Sequence, residues 1–381
     1  MPTGVDDFAQ LVSAASYAAL AALPKKGKPR EDGLEWTLLA TFLLCDTPWA
    51  QPRVVALGTG TKCLGAPQRC PCGEKLADCH AEVIARRALH AWLFAQIRSA
   101  AAGSESVMVR SGQDGRFALA PGSSVHFFVS FPPCGDACVG PSRTGAKLTS
   151  ESTPGCRGVW CEAGGRPQMP GCVRRKPGRG VPTLSMSCSD KLCRWAVQGL
   201  AGGLLASLLA PRPLRCETLT VAGGAAFGDA LRRAVGGRAA CMENAFPRAW
   251  SLHPPAVRVS RPAPPLLAPP PSADERHPCG ASLNWWAGSG GAESVEGTTG
   301  RLLGATVEAR RLPSTRSRIC RAAMLARFRA VCAGIDGGCR LQLLSYADAK
   351  RAAPEGYRDA KAVLLSVLSP WTKKTVNEDF L

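Results

Sequence analysis

The stretch Cys79–Arg87 reads CHAEVIARR, and the later stretch Pro133–Ala137 reads PCGDA. Apolar residues recur at helical spacing from Cys79 to Ile97, so the first stretch is predicted to begin a helix with His80 and Glu82 in its first turn. Residues 125–131 are predicted to form a strand, which places Cys134 at a strand-to-helix junction. A neutral imidazole and a thiolate are zinc ligands, and a nearby glutamate is placed to move protons. These residues therefore predict a catalytic zinc site.

The third protein ligand of this site does not follow from the simplest spacing. A catalytic zinc keeps three protein ligands and an open position for water. The third ligand would fall on Ala137, and the side chain of the next residue, Cys138, would point about 100° away around a helix. We therefore expect the ligand elsewhere in the chain. Cys188 is the best candidate, because it begins a second helical pattern and a helix N-terminus favours the thiolate.

Composition narrows the class of protein. The chain has 381 residues and a formal net charge of +18. Such an excess favours a polyanionic partner, usually nucleic acid, although a basic enzyme without one is the alternative.

The N-terminus carries Asp6 and Asp7 and no signal-peptide pattern, and no apolar run reaches the length of about 18 residues that a membrane span needs. With 18 cysteines, we expect a reducing intracellular compartment, nucleus or cytoplasm, rather than secretion, and no membrane association. For Cys70, Cys72 and Cys79 we expect the ordinary role of small buried hydrophobes.

The order of predicted elements indicates the fold class. Strands are predicted at 36–44, 53–57, 125–131 and 216–222, with a turn at 58–62. Helices are predicted at 6–23, 79–97, 189–209, 316–332 and 343–368, the last interrupted near Pro354. Strands that alternate with helices favour an α/β sandwich with a mixed sheet. We expect a single domain over 1–381, with irregular loops at 140–182 and 253–278.

The motifs resemble a known family. A His-x-Glu followed by Pro-Cys is the first part of the zinc nucleobase-deaminase signature, whose site makes hydroxide at neutral pH for attack on an amino-bearing ring carbon. Together with three further blocks the chain resembles the adenosine deaminases that act on RNA, over most of its length. Those blocks are Gly58–Cys63, Ser185–Lys191 and the C-terminal set Tyr346, Lys350, Tyr357, Lys361 and Trp371. The resemblance implies a cytidine-deaminase-like three-layer sandwich extended by C-terminal helices, zinc ligands His80, Cys134 and Cys188, and Glu82 as the catalytic proton carrier.

Other segments resemble the tRNA-specific branch of that family, which makes inosine at adenosine 37 beside the anticodon of alanine tRNA. They are Leu23–Pro29 before Trp36–Leu39, Arg143–Lys147 and Lys176–Gly180. The resemblance implies zinc-dependent hydrolytic deamination of adenosine in tRNA. Editing of double-stranded or messenger RNA, a catalytically inactive RNA-binding relative and a free-nucleoside deaminase are the alternatives. The oligomeric state is left open.

The resemblance also implies a second cofactor, because the RNA-editing relatives bury inositol hexakisphosphate in the core of this domain. Its phosphates require a shell of basic and hydrogen-bonding side chains, although many such residues are simply solvated. The matching positions are Arg86, Arg87, Lys191, Arg194, Trp195, Arg321, Tyr346, Lys350, Tyr357, Lys361, Trp371 and Lys374.

RNA contacts are expected from two residues of the turn before the first zinc block and from two basic stretches. Neutralising phosphates with such residues makes binding salt-dependent. The expected contacts are Thr61, Lys62, Lys25, Lys26, Lys28, Arg174, Arg175, Lys176 and Arg179.

Overall fold

Residues 5–112, 115–139, 170–176, 181–270, 276–335, 340–372 and 380–381 are described by the structure, a computed structural model of the chain. Several sequence-based expectations fall outside them. These are Arg143–Lys147 and most of the loop at 140–182, the RNA contact Arg179 and the cofactor contact Lys374.

Helices and strands are interspersed along the described residues. The helices are α1 (Val5–Ala21), α2 (Ala81–Ala101), α3 (Cys188–Gln198), α4 (Gly203–Ala206), α5 (Gly228–Val235), α6 (Arg321–Ala333), α7 (Tyr346–Arg351) and α8 (Glu355–Val367). The strands are β1 (Glu35–Trp36), β2 (Leu39–Cys45), β3 (Arg53–Thr59), β4 (Thr61–Cys63), β5 (Asp78–His80), β6 (Met108–Ser111), β7 (Arg116–Leu119), β8 (Ser124–Val129), β9 (Thr218–Ala222), β10 (Ala256–Ser260), β11 (His277–Pro278), β12 (Ala281–Trp286), β13 (Glu293–Glu296) and β14 (Arg301–Leu302).

An eight-stranded mixed sheet forms the centre of the fold, in the order β10-β9-β8-β2-β3-β12-β13-β14. Strands β8, β9 and β10 are parallel to one another, and the remaining neighbours are antiparallel. Because β3 and β8 are both antiparallel to β2, they run in the same direction. The strands β3, β8, β9 and β10 therefore end at one edge of the sheet, called here the site edge.

The sheet is covered on both faces, which explains why β2 is apolar on both of its faces except at Thr41. Every residue of Leu39–Cys45 is buried. Alternate residues on one face, including Phe42, join the core cluster of α2, while Leu39 and Leu43 join the cluster of Phe8 and Val12 from α1. The predicted three-layer α/β sandwich with a mixed sheet and C-terminal helices is confirmed.

Two predictions of local structure were wrong. The expected loop at 253–278 contains β10, which pairs with β9 residue by residue from Ala256 to Ser260. The prolines that flank it concealed a short strand. The helix expected at 189–209 ends at Gln198, because Gly199 adopts φ +73° and its amide bonds to the Trp195 carbonyl. Among the described residues no helix has the length and apolarity needed to span a membrane.

Candidate metal centre and buried cation cavity

Three side chains that are far apart in sequence meet at the site edge. The Cys134 and Cys188 Sγ atoms each lie 3.8 Å from His80 Nδ1. All three ligand atoms lie within 4.8 Å of one another, and all three residues are buried. One imidazole and two thiols at these separations form a donor set that suits zinc. The structure therefore brings together the three residues that the sequence predicts as zinc ligands.

Backbone hydrogen bonds fix the two cysteines relative to each other. The Cys188 amide donates to Cys134 Sγ at 3.3 Å, and the Ser189 amide donates to the Cys134 carbonyl at 3.0 Å. Gly135 adopts φ +100°, and a Cβ there would lie 2.3 Å from Ser187 Oγ. Only glycine allows the Cys134 loop to approach the start of α3 this closely. Ser187 in turn caps α3 by accepting the Asp190 amide.

The electrostatics of the two thiols differ. Burial opposes the Cys134 thiolate, but the hydrogen bond from Cys188 and the charge of Lys176 outweigh it, so the pKa of Cys134 lies well below its ordinary value. Burial, the neighbouring Cys134 and the charge of Glu82 keep the pKa of Cys188 well above its ordinary value. The two thiols therefore titrate as a coupled pair in which one proton is lost more readily than the other, and a bound cation would favour loss of the second.

Glu82 lies in the first turn of α2, two residues after His80, and only 2% of it is exposed. The packing of α2 on β3 sets this position. A Cβ on Gly58 of β3 would lie 2.3 Å from the Ala85 nitrogen and 2.6 Å from the Ala81 carbonyl oxygen. Glycine at 58 therefore lets the first turn of α2 rest directly on the strand.

Cys138 does not join the cluster. Its thiol donates to the carbonyls of Pro132 and Pro133, each at 3.3 Å. The position of Cys138, four residues after Cys134, predicts a side chain that points away from the metal site, and the structure agrees. Residues 136–138 form a 3-10 turn rather than the expected helix start.

An ion-pair link connects the metal centre to a second site. Lys176 Nζ lies 2.9 Å from Asp78 Oδ1, and Lys191 Nζ pairs with Asp78 Oδ2. Burial opposes the Asp78 carboxylate, but Lys176 and Lys191 hold its pKa well below the usual range. The charges of Asp78, Cys188 and Cys134 outweigh burial at Lys176 and raise its pKa well above the ordinary value. The positive charge of Lys176 thus acts both on the thiols of the metal centre and on the carboxylate of Asp78.

On the other side of Asp78 lies a cavity of about 270 Å³. Its described lining holds seven Lys and Arg side chains and a single carboxylate, Asp78, which Lys176 and Lys191 already engage. The predicted cofactor contacts that line it are Arg86, Arg87, Lys191, Arg194, Trp195, Arg321, Tyr346, Lys350, Tyr357 and Trp371. The cavity is therefore strongly positive.

The cations of this cavity destabilise one another. Burial lowers the pKa of Arg86 to about 9, with a further contribution from Arg194. Burial also lowers the pKa of Lys361 to about 8, and Arg194 and Lys350 add to the effect. Lys361 is thus electrostatically coupled to the cluster, although it is absent from the described lining. A buried excess of like charge is unfavourable unless a counter-ion fills it, and the donors present suit a polyanion.

Arg69 and His90 also line the cavity, although neither was predicted from the sequence. The position of His90 could have been predicted from the helical spacing of α2. Val83, Arg86, Arg87, His90 and Phe94 recur at intervals of three or four residues on α2, and all five line the cavity. His90 Nε2 and Arg86 Nε both lie 2.8 Å from the Leu200 carbonyl. Arg69 lies in the irregular loop before β5 and had no such periodic signal.

The residues proposed for RNA contact differ in how far they are exposed to solvent, and of those described Arg174 and Lys176 are the most buried. Lys176 is fully buried, and the Arg174 side chain is 9% exposed and lies 3.9 Å from Asp136. The pairing of Lys176 with Asp78 and of Arg174 with Asp136 turns both cations inward, which does not favour their predicted contact with RNA. Arg175 is partly buried, and its backbone forms an isolated antiparallel β-bridge with that of Met186.

The remaining candidates are more accessible. Lys25 is 84% exposed in a surface pair with Glu31, and Lys26 is exposed. Lys28 binds the Ala21 and Leu23 carbonyls at the end of α1. The neighbours Thr61 and Lys62, in β4, are half-buried, and Thr61 pairs with His80 in register. The turn expected at 58–62 is instead the junction of β3 and β4, with Gly60 at φ +123°.

Comparison with known proteins agrees with this geometry. The family model described as "Adenosine-deaminase (editase) domain" matches residues 56–375. The chain is similar to the Drosophila melanogaster protein "tRNA-specific adenosine deaminase 1", at 33% identity over 239 residues, which covers 58% of this chain and 56% of the relative. The Mus musculus protein of that name is 30% identical over 359 residues, covering 65% and 70%. "Double-stranded RNA-specific editase Adar" of Drosophila melanogaster is 28% identical over 358 residues, covering 87% and 49%. The chain thus spans about half the length of the two fly relatives.

Proposed function

The chain belongs to the adenosine-deaminase (editase) domain family, and on that premise we propose that it is a zinc-dependent hydrolase that converts adenosine to inosine in tRNA. The observation that carries the proposal is the buried cluster of His80, Cys134 and Cys188, with Glu82 in the adjoining helix turn. A catalytically inactive relative would be expected to lack one of these four residues, and all are present.

In this proposal His80, Cys134 and Cys188 hold the metal. Zinc with three protein ligands lowers the pKa of a coordinated water to about 7. Glu82, on the first turn of α2, would accept one proton from water and donate it to the ring nitrogen beside the reacting carbon. It would then accept the second proton from the hydroxyl added to that carbon and donate it to the departing ammonia. Because Glu82 is only 2% exposed, its surroundings are shielded from bulk water. His80 is held through β5, whose register with β4 places Thr61 opposite it.

We further propose adenosine 37 of alanine tRNA as the substrate position. The fly and mouse relatives at 33% and 30% identity are both named tRNA-specific. A base must leave its stack to reach such a site, and the anticodon loop is partly unpaired, which lowers the free energy of flipping. The fifteen cysteines among the described residues are free thiols, in keeping with an intracellular enzyme. Editing of double-stranded RNA is the second candidate, because the editase relative matches 87% of this chain.

An in vitro transcript of alanine tRNA, with a duplex RNA of similar length as companion, tests this proposal. Inosine would be mapped by primer extension after incubation with wild-type protein. We expect inosine at position 37 of the tRNA and little in the duplex. Inosine in the duplex alone would favour the editing alternative, and inosine in neither would favour an inactive relative.

We also propose that inositol hexakisphosphate occupies the cation cavity. Arg86, Arg87, Lys191, Arg194 and Lys350 would hold the phosphates, and the cofactor would stabilise the fold by neutralising their buried charge. Mass spectrometry of the denatured, purified protein tests the assignment. We expect one inositol hexakisphosphate per chain. A folded, active preparation without any inositol polyphosphate would contradict it.

A further inference from the structure

After β14 the chain forms a compact segment that no predicted function uses. This segment, residues 303–316, is called here the basic strap. It turns at Gly304, where φ is +90°, and continues through 3-10 turns at Ala309–Arg311 and Pro313–Thr315. Thr315 Oγ1 donates to the Ala309 carbonyl at 3.0 Å and is also placed 3.0 Å from the Leu312 carbonyl oxygen, which ties the two turns together.

The chain that leads into the strap runs close to the segment that precedes His80. Strand β13 ends at the site edge, and the turn that follows it contacts β4, since a Cβ on Gly297 would lie 2.7 Å from Lys62 Cβ. Lys62 pairs in register with Cys79, the residue before His80. The Leu76 amide donates to the Gly300 carbonyl at 3.0 Å. The strap therefore begins next to the segment that delivers His80.

Glu74 anchors both ends of the strap. Its carboxylate lies 2.8 Å from Arg301 Nη2, just before the strap, and also pairs with Arg316 at the end. Arg301 additionally donates to the Leu312 carbonyl at 3.4 Å. The Arg301 side chain is 5% exposed and that of Glu74 16%, so this anchor is largely shielded from water. A shielded double ion pair holds the strap in one place.

The outer side of the strap carries charges that the fold does not use. Within the described ranges, neither Arg310 nor Arg311 forms an ion pair or a side-chain hydrogen bond, and Arg311 is exposed. Two large apolar residues flank them. Val307 is 67% exposed and Leu312 is 53% exposed. Two guanidinium groups on adjacent residues can bind phosphates, and exposed aliphatic side chains beside them can contact the faces of bases or riboses.

We propose that the basic strap is an RNA-contacting surface, with Arg310 and Arg311 on the phosphates of the strand that flanks the reacting nucleotide. This inference rests on the proposed action on RNA. RNA is favoured over an acidic protein segment because the chain carries a net charge of +18 and the turn before β14, which leads into the strap, contacts Lys62 of β4.

The test compares two variants that remove the same charge. Arg310→Ala/Arg311→Ala alters the strap. Arg212→Ala/Arg248→Ala alters two exposed arginines near the opposite edge, where Arg212 and Ala249 line a groove with the first residues of β8. Binding of the alanine tRNA transcript would be measured by fluorescence anisotropy from 50 to 300 mM KCl. Binding of a polyglutamate peptide would be measured alongside.

Loss of two phosphate contacts should lower the slope of log Kd against log salt concentration by about 1.4–1.8, and weaken binding about 15–30-fold near 0.15 M salt. We expect this for the strap variant and not for its control. Equal behaviour of the two variants, or a strap variant that loses polyglutamate but not tRNA, would overturn the inference. Absence of inosine in wild-type reactions would refute the proposed function alone, because RNA binding is read independently.

Discussion

Asp78→Asn should destabilise the protein strongly, because Asp78 is the only described carboxylate that pairs with both the buried Lys176 and the partly buried Lys191. The side chain of Lys176 is fully buried, and those of Asp78 and Lys191 are 11% and 19% exposed. Asparagine keeps the size of the side chain but removes the negative charge from both lysines. Removing one partner of a buried ion pair leaves an uncompensated charge and typically costs about 3–5 kcal/mol.

The expected change in melting temperature follows from chain length. At roughly 2.1 cal/mol/K per residue, a chain of 381 residues has an unfolding entropy of about 0.8 kcal/mol/K. A loss of about 3–5 kcal/mol then lowers Tm by about 4–6 °C. Scanning calorimetry at pH 7, with equal inositol hexakisphosphate in all samples, measures it.

Asp229→Asn is the matched control. Asp229 pairs with Arg232 on α5, but its side chain is 95% exposed. Exposed pairs contribute only about 0.2–1 kcal/mol, so this variant should melt within about 1 °C of wild type. If Asp78→Asn melts together with Asp229→Asn, the buried link between the thiols and the cation cavity does not contribute to stability as argued.

Two further predictions concern burial and close packing. Burial lowers the pKa of His126 to about 4, so the histidine favours the folded state above its unfolded pKa of about 6.5 and loses this contribution as pH falls toward 4. His126→Gln should reduce the pH dependence of the unfolding free energy by about 1.4 kcal/mol per pH unit in that window, measured by urea denaturation, and an unchanged slope would contradict it. Gly58→Ala should lower stability by about 1–3 kcal/mol and reduce turnover by displacing α2. Gly237→Ala, whose added Cβ meets nothing closer than 3.5 Å, should be tolerated, and equal effects of the two changes would refute the packing argument.

Local patterns explain what could be predicted from the sequence. The large apolar residues of the strand predicted at 36–44 and the helical spacing from Cys79 to Ile97 report burial directly, because each side chain follows the period of its element. Cys188 was identifiable because it lies at the start of the helix predicted from Ser189 and Asp190. The family and the three-layer fold are confirmed, whereas the roles of the metal ligands and of Glu82 stay predictions.

Long-range pairing explains what the sequence did not reveal. Lys176 and Arg174 lie in a basic run that looks like a solvated surface, yet Asp78 and Asp136 hold them inside. No local signal relates Lys176 to Asp78, which lies 98 residues away in the chain. The strand Ala256–Ser260 was hidden by its flanking prolines, and its place beside β9 is set by the sheet rather than by its own pattern.

Zinc content and inosine yield, measured on the same preparations of three variants, test the zinc ligands and the proton carrier together. We expect Cys188→Ala to lose both zinc and inosine formation in the tRNA transcript, whereas Cys138→Ala should retain both. Glu82→Gln should keep its zinc and its melting temperature but lose about 10²–10⁴-fold in turnover. Zinc retained by Cys188→Ala and lost by Cys138→Ala, or near wild-type turnover in Glu82→Gln, would contradict the account.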